Sequence, residues 1–182
     1  MNQPFQSIQQ TKKWIEEVVI GFNFCPFAKK PFIENKINFF EESKADLQSA
    51  LKKLIQVCME MDGSNQIETC LIIFPDSFLL FQDYLQVVEL SEKLLAVEGY
   101  EGVYQIASFH PLYQFAGTDI NDPENYTNRS PYPMLHILRE SSIEKALKNM
   151  EDPSAIPTRN IQFTQNAGVT FLKKRWNDCF LS

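Results

Sequence analysis

The run TCLIIF, residues 69–74, is the sequence feature that most restricts the fold. It is apolar throughout after Thr69 and is bounded by turn residues, which is the pattern of a strand buried on both faces. Apolar residues at helical spacing precede it over about 44–61 and follow it over about 78–97. A buried strand between two amphipathic helices predicts a layered domain in which helices cover a sheet.

The remaining elements extend this alternation of strands and helices. Ser43 is expected to cap the helix over 44–61. A loop marked by Pro153 and Pro157 is expected before the last helix. Further strands are predicted at 36–41, 103–109 and 134–140, and further helices at 8–22, from Ser141 or Ser142 to about 149, and at 166–178. We therefore expect an α/β or α+β fold, with residues 1–182 as one domain built on a sheet of about four strands.

Composition excludes several classes of protein. The chain has 182 residues and is 44% hydrophobic, which is enough apolar material for a substantial core. Its net charge of −6 argues against nucleic acid as the main partner, since phosphate binding needs a concentrated basic surface. No signal peptide and no apolar run of about 18 residues is present, so we expect a cytoplasmic protein without a membrane span.

The four cysteines lie far apart in the sequence. No two of them form a C-x-x-C pair, so the sequence predicts neither a disulfide nor a structural zinc site. No motif for phosphate, dinucleotide or metal binding occurs either. The cofactor, if any, and the oligomeric state therefore stay open.

The segment 110–133 is the most unusual part of the chain. It has no regular periodicity over 24 residues, and it contains four aromatic residues and four prolines. Loops of this length in compact domains are usually functional or disordered, and the aromatic residues and prolines argue against disorder. We predict an ordered, packed loop that contributes to a site. The alternative is a rigid Ω-like loop that covers a sheet edge.

The only two histidines flank this loop. His110 ends the third strand and His136 lies within the fourth, so antiparallel pairing of these strands could bring them together. A neutral imidazole at a strand end is a candidate general acid or base, and we assign that role to His110. The alternative is a core histidine whose nitrogens bind the backbone, which is the better interpretation of His136.

Two arginines are candidate anion ligands. Arg129 is the only cation in the loop, and Arg159 lies in the proline-bounded stretch IPTRNI. A guanidinium held by such a segment suits bidentate binding of a carboxylate or phosphate. Asn128, Tyr126 and Asp119 are expected to complete this ligand-binding group. Alternatively, Arg129 forms an internal ion pair with Asp119 or Asp122.

Cys25 differs from the other three cysteines, because it follows a helix and precedes a proline between Phe24 and Phe27. If it meets His110, a nucleophilic Cys/His pair is possible. Alternatively, Cys25, His110 and an aspartate of the loop could ligate a metal, or Cys25 simply packs as a small apolar side chain. The specific hypothesis is one pocket lined by His110, Arg129 and Arg159, with Cys25 at its edge and no metal.

Three motifs carry a resemblance to a known family. They are GFNFCPFA, FHPLYQFAGTDINDPENYTNRSPYPMLHILRE and IPTRNI, which together extend over nearly the whole chain. The sequence resembles a bacterial protein family that is defined only as a domain of unknown function. The resemblance implies a cytosolic bacterial protein with one domain, and it supplies no catalytic residues.

These residues support three functional hypotheses. The first is an enzyme acting on a small anionic metabolite, with His110 as acid or base, Arg129 and Arg159 as an anion clamp, and Cys25 as an optional nucleophile. The second is a small-anion-binding or regulatory module without chemistry. The third is a protein-interaction domain that uses the aromatic loop.

Overall fold

The structure, a computed structural model, describes residues 6–148, 150 and 152–181. Within these residues a four-stranded sheet has the order β1-β2-β4-β3. The pair β1/β2 is parallel, whereas β2/β4 and β3/β4 are antiparallel. The strands are β1 (Ile37–Glu41), β2 (Thr69–Ile73), β3 (Tyr104–Phe109) and β4 (Met134–Arg139). This confirms the predicted mixed fold with a sheet of about four strands.

Helices cover both faces of the sheet. The α-helices are α1 (Gln6–Trp14), α2 (Lys29–Ile33), α3 (Leu47–Asp62), α4 (Phe81–Val97), α5 (Glu140–Leu147), α6 (Ala155–Ala167) and α7 (Val169–Asp178). A π-helix, Ile15–Ile20, continues α1, and a 3-10 helix, Pro123–Thr127, lies in the long loop. The sequence predicted that α5 ends at about residue 149. That residue lies outside the described residues. Among the described residues, no helix has both the length and the apolar character needed to cross a membrane.

Two helices that were not predicted from the sequence contain a proline near their start, and one of them replaces part of the loop marked by Pro153 and Pro157. Pro31 is the third residue of α2 and Pro157 is the third residue of α6. The first-turn N–H groups of a helix have no acceptor within the helix, so proline is tolerated there. The predicted loop around IPTRNI was therefore wrong, and Arg159 stands on a helix.

The start of α3 also differs from the prediction. Its N-cap is Asp46, whose carboxylate accepts a hydrogen bond from Ser49 N at 2.8 Å, while Ser49 Oγ accepts from Asp46 N at 2.9 Å. This is a reciprocal capping arrangement. Ser43, the predicted cap, instead donates to a carboxylate oxygen of Glu41.

The strand residues divide the core into two layers. On β2, Cys70 and Ile72 pack with α3 and α4, whereas Leu71 and Ile73 pack with α1, the π-helix and α7. We call these sides the α3/α4 face and the α1/α7 face. This alternation fits the expectation that β2 is buried on both faces.

The long loop packs against the α1/α7 face. Tyr126 is buried in that layer, and Asn125 is fully buried. Asn125 Oδ1 accepts from Phe115 N at 3.0 Å and Thr118 Oγ1 at 3.0 Å, and its Nδ2 donates to Asp119 O at 2.8 Å. One buried amide thus ties three parts of the loop together, in accordance with the predicted ordered loop.

Candidate functional site

His110 is fully buried and both of its ring nitrogens bind the backbone. Nε2 lies 3.0 Å from Phe78 O, and Nδ1 accepts from Leu112 N at 2.9 Å. Since a carbonyl only accepts, the proton is on Nε2. Burial lowers the pKa of His110, and Phe81 and Tyr84 pack on the ring at 5.2 and 5.0 Å between centroids. These contacts favour the structural alternative for His110.

The two histidines lie on opposite faces of the sheet. His110 packs against α4 on the α3/α4 face, whereas His136 alternates along β4 with Leu135 and Ile137 of that layer. The ring of His136 instead lies 6.0 Å from that of Phe109, on the α1/α7 face. The predicted antiparallel pairing of their strands is correct, but it does not bring the histidines together.

Arg129 binds carbonyl groups of its own loop. Its Nε donates to Tyr113 O at 3.2 Å and its Nη2 donates to Ile120 O at 2.5 Å. The guanidinium also lies over the Tyr126 ring, 4.6 Å from the centroid. The predicted partners were an anionic ligand or, alternatively, Asp119 or Asp122. The two carbonyl acceptors explain the position of Arg129 without either, because they tie residues 113 and 120 of the loop together.

Asp119 forms a local turn rather than an ion pair. Its backbone N–H donates to Asp122 Oδ2 at 2.7 Å, and its own Oδ1 accepts from Asn121 N at 2.9 Å. Such aspartate-capped turns are common in irregular loops. The carboxylates of this segment therefore shape the backbone.

Arg159 is likewise bound to the backbone. Its Nη1 donates to Asn23 O at 2.8 Å and its Nη2 donates to Phe22 O at 2.8 Å. These carbonyls follow the π-helix, so Arg159 joins α6 to the segment that carries Cys25. Both arginines thus occupy positions that stabilise the fold, and their assignment as anion ligands stays a prediction without contacts that favour it.

A cavity of about 440 Å³ lies between the long loop (residues 110–133), α6, the π-helix and the segment that contains Phe24 and Cys25. We call it the loop cavity. Its apolar wall consists mainly of Val19, Phe24, Phe109, Phe115, Ile156 and Ile161. The lining also includes residues with polar side chains, namely Cys25, Thr118, Glu124, Thr127, Asn128 and Asn160.

Two of the predicted site residues line this cavity and five do not. Cys25 and Asn128 contribute to it, whereas the lining does not include His110, Arg129, Arg159, Tyr126 or Asp119. Glu124 and Asn160 also line the cavity but were not predicted as site residues. Glu124 follows a proline in a first helical turn, where a glutamate is common for reasons unrelated to binding, and Asn160 is adjacent to the arginine that was selected instead.

Cys25 is a free thiol in the cavity wall. Burial raises the pKa of this thiol, against the opposite influence of the N–H groups of Phe27 and Ala28. His110 is on the other face of the sheet and cannot serve as its base. Among the described residues, no group of three or more His, Cys, Asp or Glu side chains is placed to hold a metal ion.

The π-helix supplies one wall of the loop cavity through Val19. Regular π-helical turns are rare and occur often at functional sites, because the extra residue per turn displaces side chains from their α-helical positions. The π-helix, together with the mainly apolar wall, therefore distinguishes the loop cavity from an ordinary surface depression.

A second cavity, of about 410 Å³, lies beside α2 and α5 and is more charged. Lys30, Lys145 and Glu68 contribute to its lining, together with the hydroxyl-bearing Thr69 and Ser142. Glu68 is paired with Lys36 at 3.2 Å. Residues 24–27 contribute to both cavities, since Phe24 lines the first and Phe27 lines the second.

Comparison with known proteins gives one result. A family model described as "Protein of unknown function (DUF1415)" matches residues 6–174. No match is found among curated proteins, and none among solved structures.

Proposed function

Because the chain belongs to the family described as "Protein of unknown function (DUF1415)", we propose its function from the site alone: it binds a small, largely apolar molecule in the loop cavity. The observation that carries this proposal is the convergence of four separate chain segments on one apolar space. A volume of about 440 Å³ is suited to a small ligand, and a mainly apolar wall with a few polar groups is typical of ligand pockets.

Catalysis on a small anionic metabolite is the competing proposal. As predicted from the sequence, it requires cations facing the ligand, together with His110 as acid or base or an ionised Cys25. Burial raises the pKa of Cys25, His110 lies on the other face of the sheet, and both arginines bind carbonyls. Binding without chemistry is therefore better supported.

Indole is a suitable probe for the binding proposal, because it is small, aromatic and nearly apolar. We expect it to shift the backbone amide signals of Phe115 and Ile161 in two-dimensional NMR spectra. Ile161→Trp should weaken indole binding by about tenfold or more, since the larger ring fills the cavity and tenfold corresponds to only about 1.4 kcal/mol.

Val97→Trp is the matched control for this substitution. Val97 ends α4, is 81% exposed and is not part of the cavity lining. The same side chain added there should leave indole binding unchanged. If indole shifts neither cavity amide in the wild-type protein, or binds both variants equally, the proposal fails.

The reactivity of Cys25 separates binding from nucleophilic catalysis. The other three cysteines are buried, so iodoacetamide labelling reports mainly on Cys25. We expect slow labelling at pH 7.5, because the raised pKa keeps the thiol protonated, and still slower labelling with saturating indole. Cys25→Ser provides the background rate. Rapid labelling that titrates below pH 7 would favour the enzymatic proposal.

A further inference from the structure

Glu124 gives the loop cavity a charge preference. It is the one ionisable carboxylate of the lining, which contains no lysine, arginine or histidine. Within the described part of the chain its carboxylate makes no hydrogen bond or ion pair, although its backbone carbonyl accepts from Thr127 Oγ1 at 2.9 Å. The cavity lining therefore includes one acidic side chain that no hydrogen bond or ion pair of the described residues occupies.

The amide side chains of the lining are already committed to the protein. Asn160 Nδ2 donates to Phe24 O at 2.8 Å, and its Oδ1 accepts from Arg159 Nη1 at 2.9 Å. Asn128 Nδ2 donates to Ser108 O at 3.2 Å, and its Oδ1 lies 3.1 Å from Thr127 Oγ1, whose single proton it shares with Glu124 O. These amides thus have less capacity left for a ligand than the Glu124 carboxylate has.

The cations nearest in sequence do not offset this carboxylate within the cavity. Arg129 is directed to the carbonyls of Tyr113 and Ile120, and Arg159 to those of Phe22 and Asn23. The protein as a whole carries a net charge of −6. An anion entering an apolar space beside Glu124 would face repulsion at short range and no compensating cation.

We propose that the loop cavity selects amphipathic amines: ligands with an aromatic or aliphatic body and a cationic, hydrogen-bond-donating head that binds Glu124. The aromatic side chains Phe24, Phe109 and Phe115 accept the body. A charge-assisted hydrogen bond to the carboxylate orients the head. This inference rests on the proposed function of the cavity and reverses the anion preference expected from the sequence.

Three probes of nearly equal size test the inference: tryptamine, tryptophol and indole-3-acetate, which are cationic, neutral and anionic at pH 7. Affinities are measured from the amide shifts of Phe115 and Ile161, so that only binding at the loop cavity counts. We expect tryptamine to bind most tightly and indole-3-acetate most weakly. Glu124→Gln should weaken tryptamine binding by about tenfold or more and leave tryptophol unchanged.

Glu92→Gln is the control for the loss of a surface charge, since Glu92 is exposed on α4 and away from the cavity. It should not alter the order of the three probes. If all three bind equally, if indole-3-acetate binds best, or if Glu124→Gln leaves tryptamine binding intact, the amine preference is overturned while the pocket stands. If none of the probes binds, the proposed function fails with it.

Discussion

Gly21→Ala is expected to lower the free energy of unfolding by about 3 kcal/mol or more, which is the range of severe overpacking. A Cβ at this position would lie 2.2 Å from Glu17 O and 2.8 Å from Glu17 C. Both are backbone atoms, so no flexible side chain can move aside. Gly21 has φ −57°, a conformation open to any residue; the requirement for glycine here is one of space.

The clash arises from the π-helix that precedes Gly21. Gly21 N donates to Glu16 O at 3.0 Å, five residues earlier, as the π-helical pattern requires. This hydrogen bond brings the backbone of Glu17 against the glycine Cα. Relief of the clash requires rewinding of the turn, which would also displace Val19 from the wall of the loop cavity. Loss of stability and loss of indole binding should therefore accompany each other.

Gly63→Ala is the matched control for this prediction. Gly63 also follows a helix, has φ −73°, and would place a Cβ no closer than 3.6 Å to its nearest neighbour, Glu60 O. Gly63→Ala should change the free energy of unfolding by no more than about 0.5 kcal/mol, or raise it slightly, because alanine restricts the unfolded chain. Urea unfolding monitored by circular dichroism measures both variants. Equal stabilities for the two would show that the π-helical turn does not constrain Gly21.

The strands and the main helices could be predicted because their signal is local. The apolar run of β2 and the periodic stripes of α3 and α4 report burial directly in the sequence. The π-helix could not be recognised, since Trp14, Ile15, Val18 and Val19 also fit an α-helical stripe. The proline-containing helices α2 and α6 were missed because a proline in a first turn and one in a loop look alike in the sequence.

The site was harder to predict because it depends on contacts with the backbone. The carbonyls that bind Arg129 and Arg159 have no signature in the sequence, so both arginines seemed available for a ligand. The positions of the histidines depend on strand register in the same way. Ile106 pairs with Ile137, so His110, which follows β3 on the side of Ile106, faces away from His136. A shift of the β3/β4 register by one residue would have placed the two histidines on the same face.

Acidification from pH 7 to about pH 4.5 is expected to destabilise the protein through its histidines. Burial lowers the pKa of His136 to about 4, whereas an unfolded histidine titrates near 6.5. Below about pH 6.5 the unfolded chain therefore binds a proton that the folded chain does not. Stability is highest above this range and falls as the pH decreases towards 4, by roughly 2–3 kcal/mol for His136 over the whole interval.

The surroundings of His136 explain why it resists protonation. Thr69 Oγ1 donates to Ile137 O at 2.6 Å and lies 2.6 Å from His136 Nε2, so it accepts the Nε2 proton. The ring is thus held as the neutral Nε2–H tautomer between Phe109 and the strands. A second proton would place a full charge on the apolar α1/α7 face, with no carboxylate bound to the ring among the described residues. His110 shares the direction of this shift, since burial also lowers its pKa.

The experiment compares the pH dependence of unfolding in the wild type, His136→Gln and His110→Gln. The chain has only two histidines, so each variant removes one of the two histidine contributions. Between pH 6.5 and 5, His136→Gln should reduce the slope of the unfolding free energy by up to about 1.4 kcal/mol per pH unit, the value for one proton. Glutamine can still donate to Thr69, so the slope changes through titration rather than through a lost hydrogen bond. His110→Gln should retain the His136 part of the slope.

A folded-state NMR titration of His136 near pH 6.5 would contradict the prediction, because folded and unfolded forms would then bind protons equally and the histidine could not make stability depend on pH.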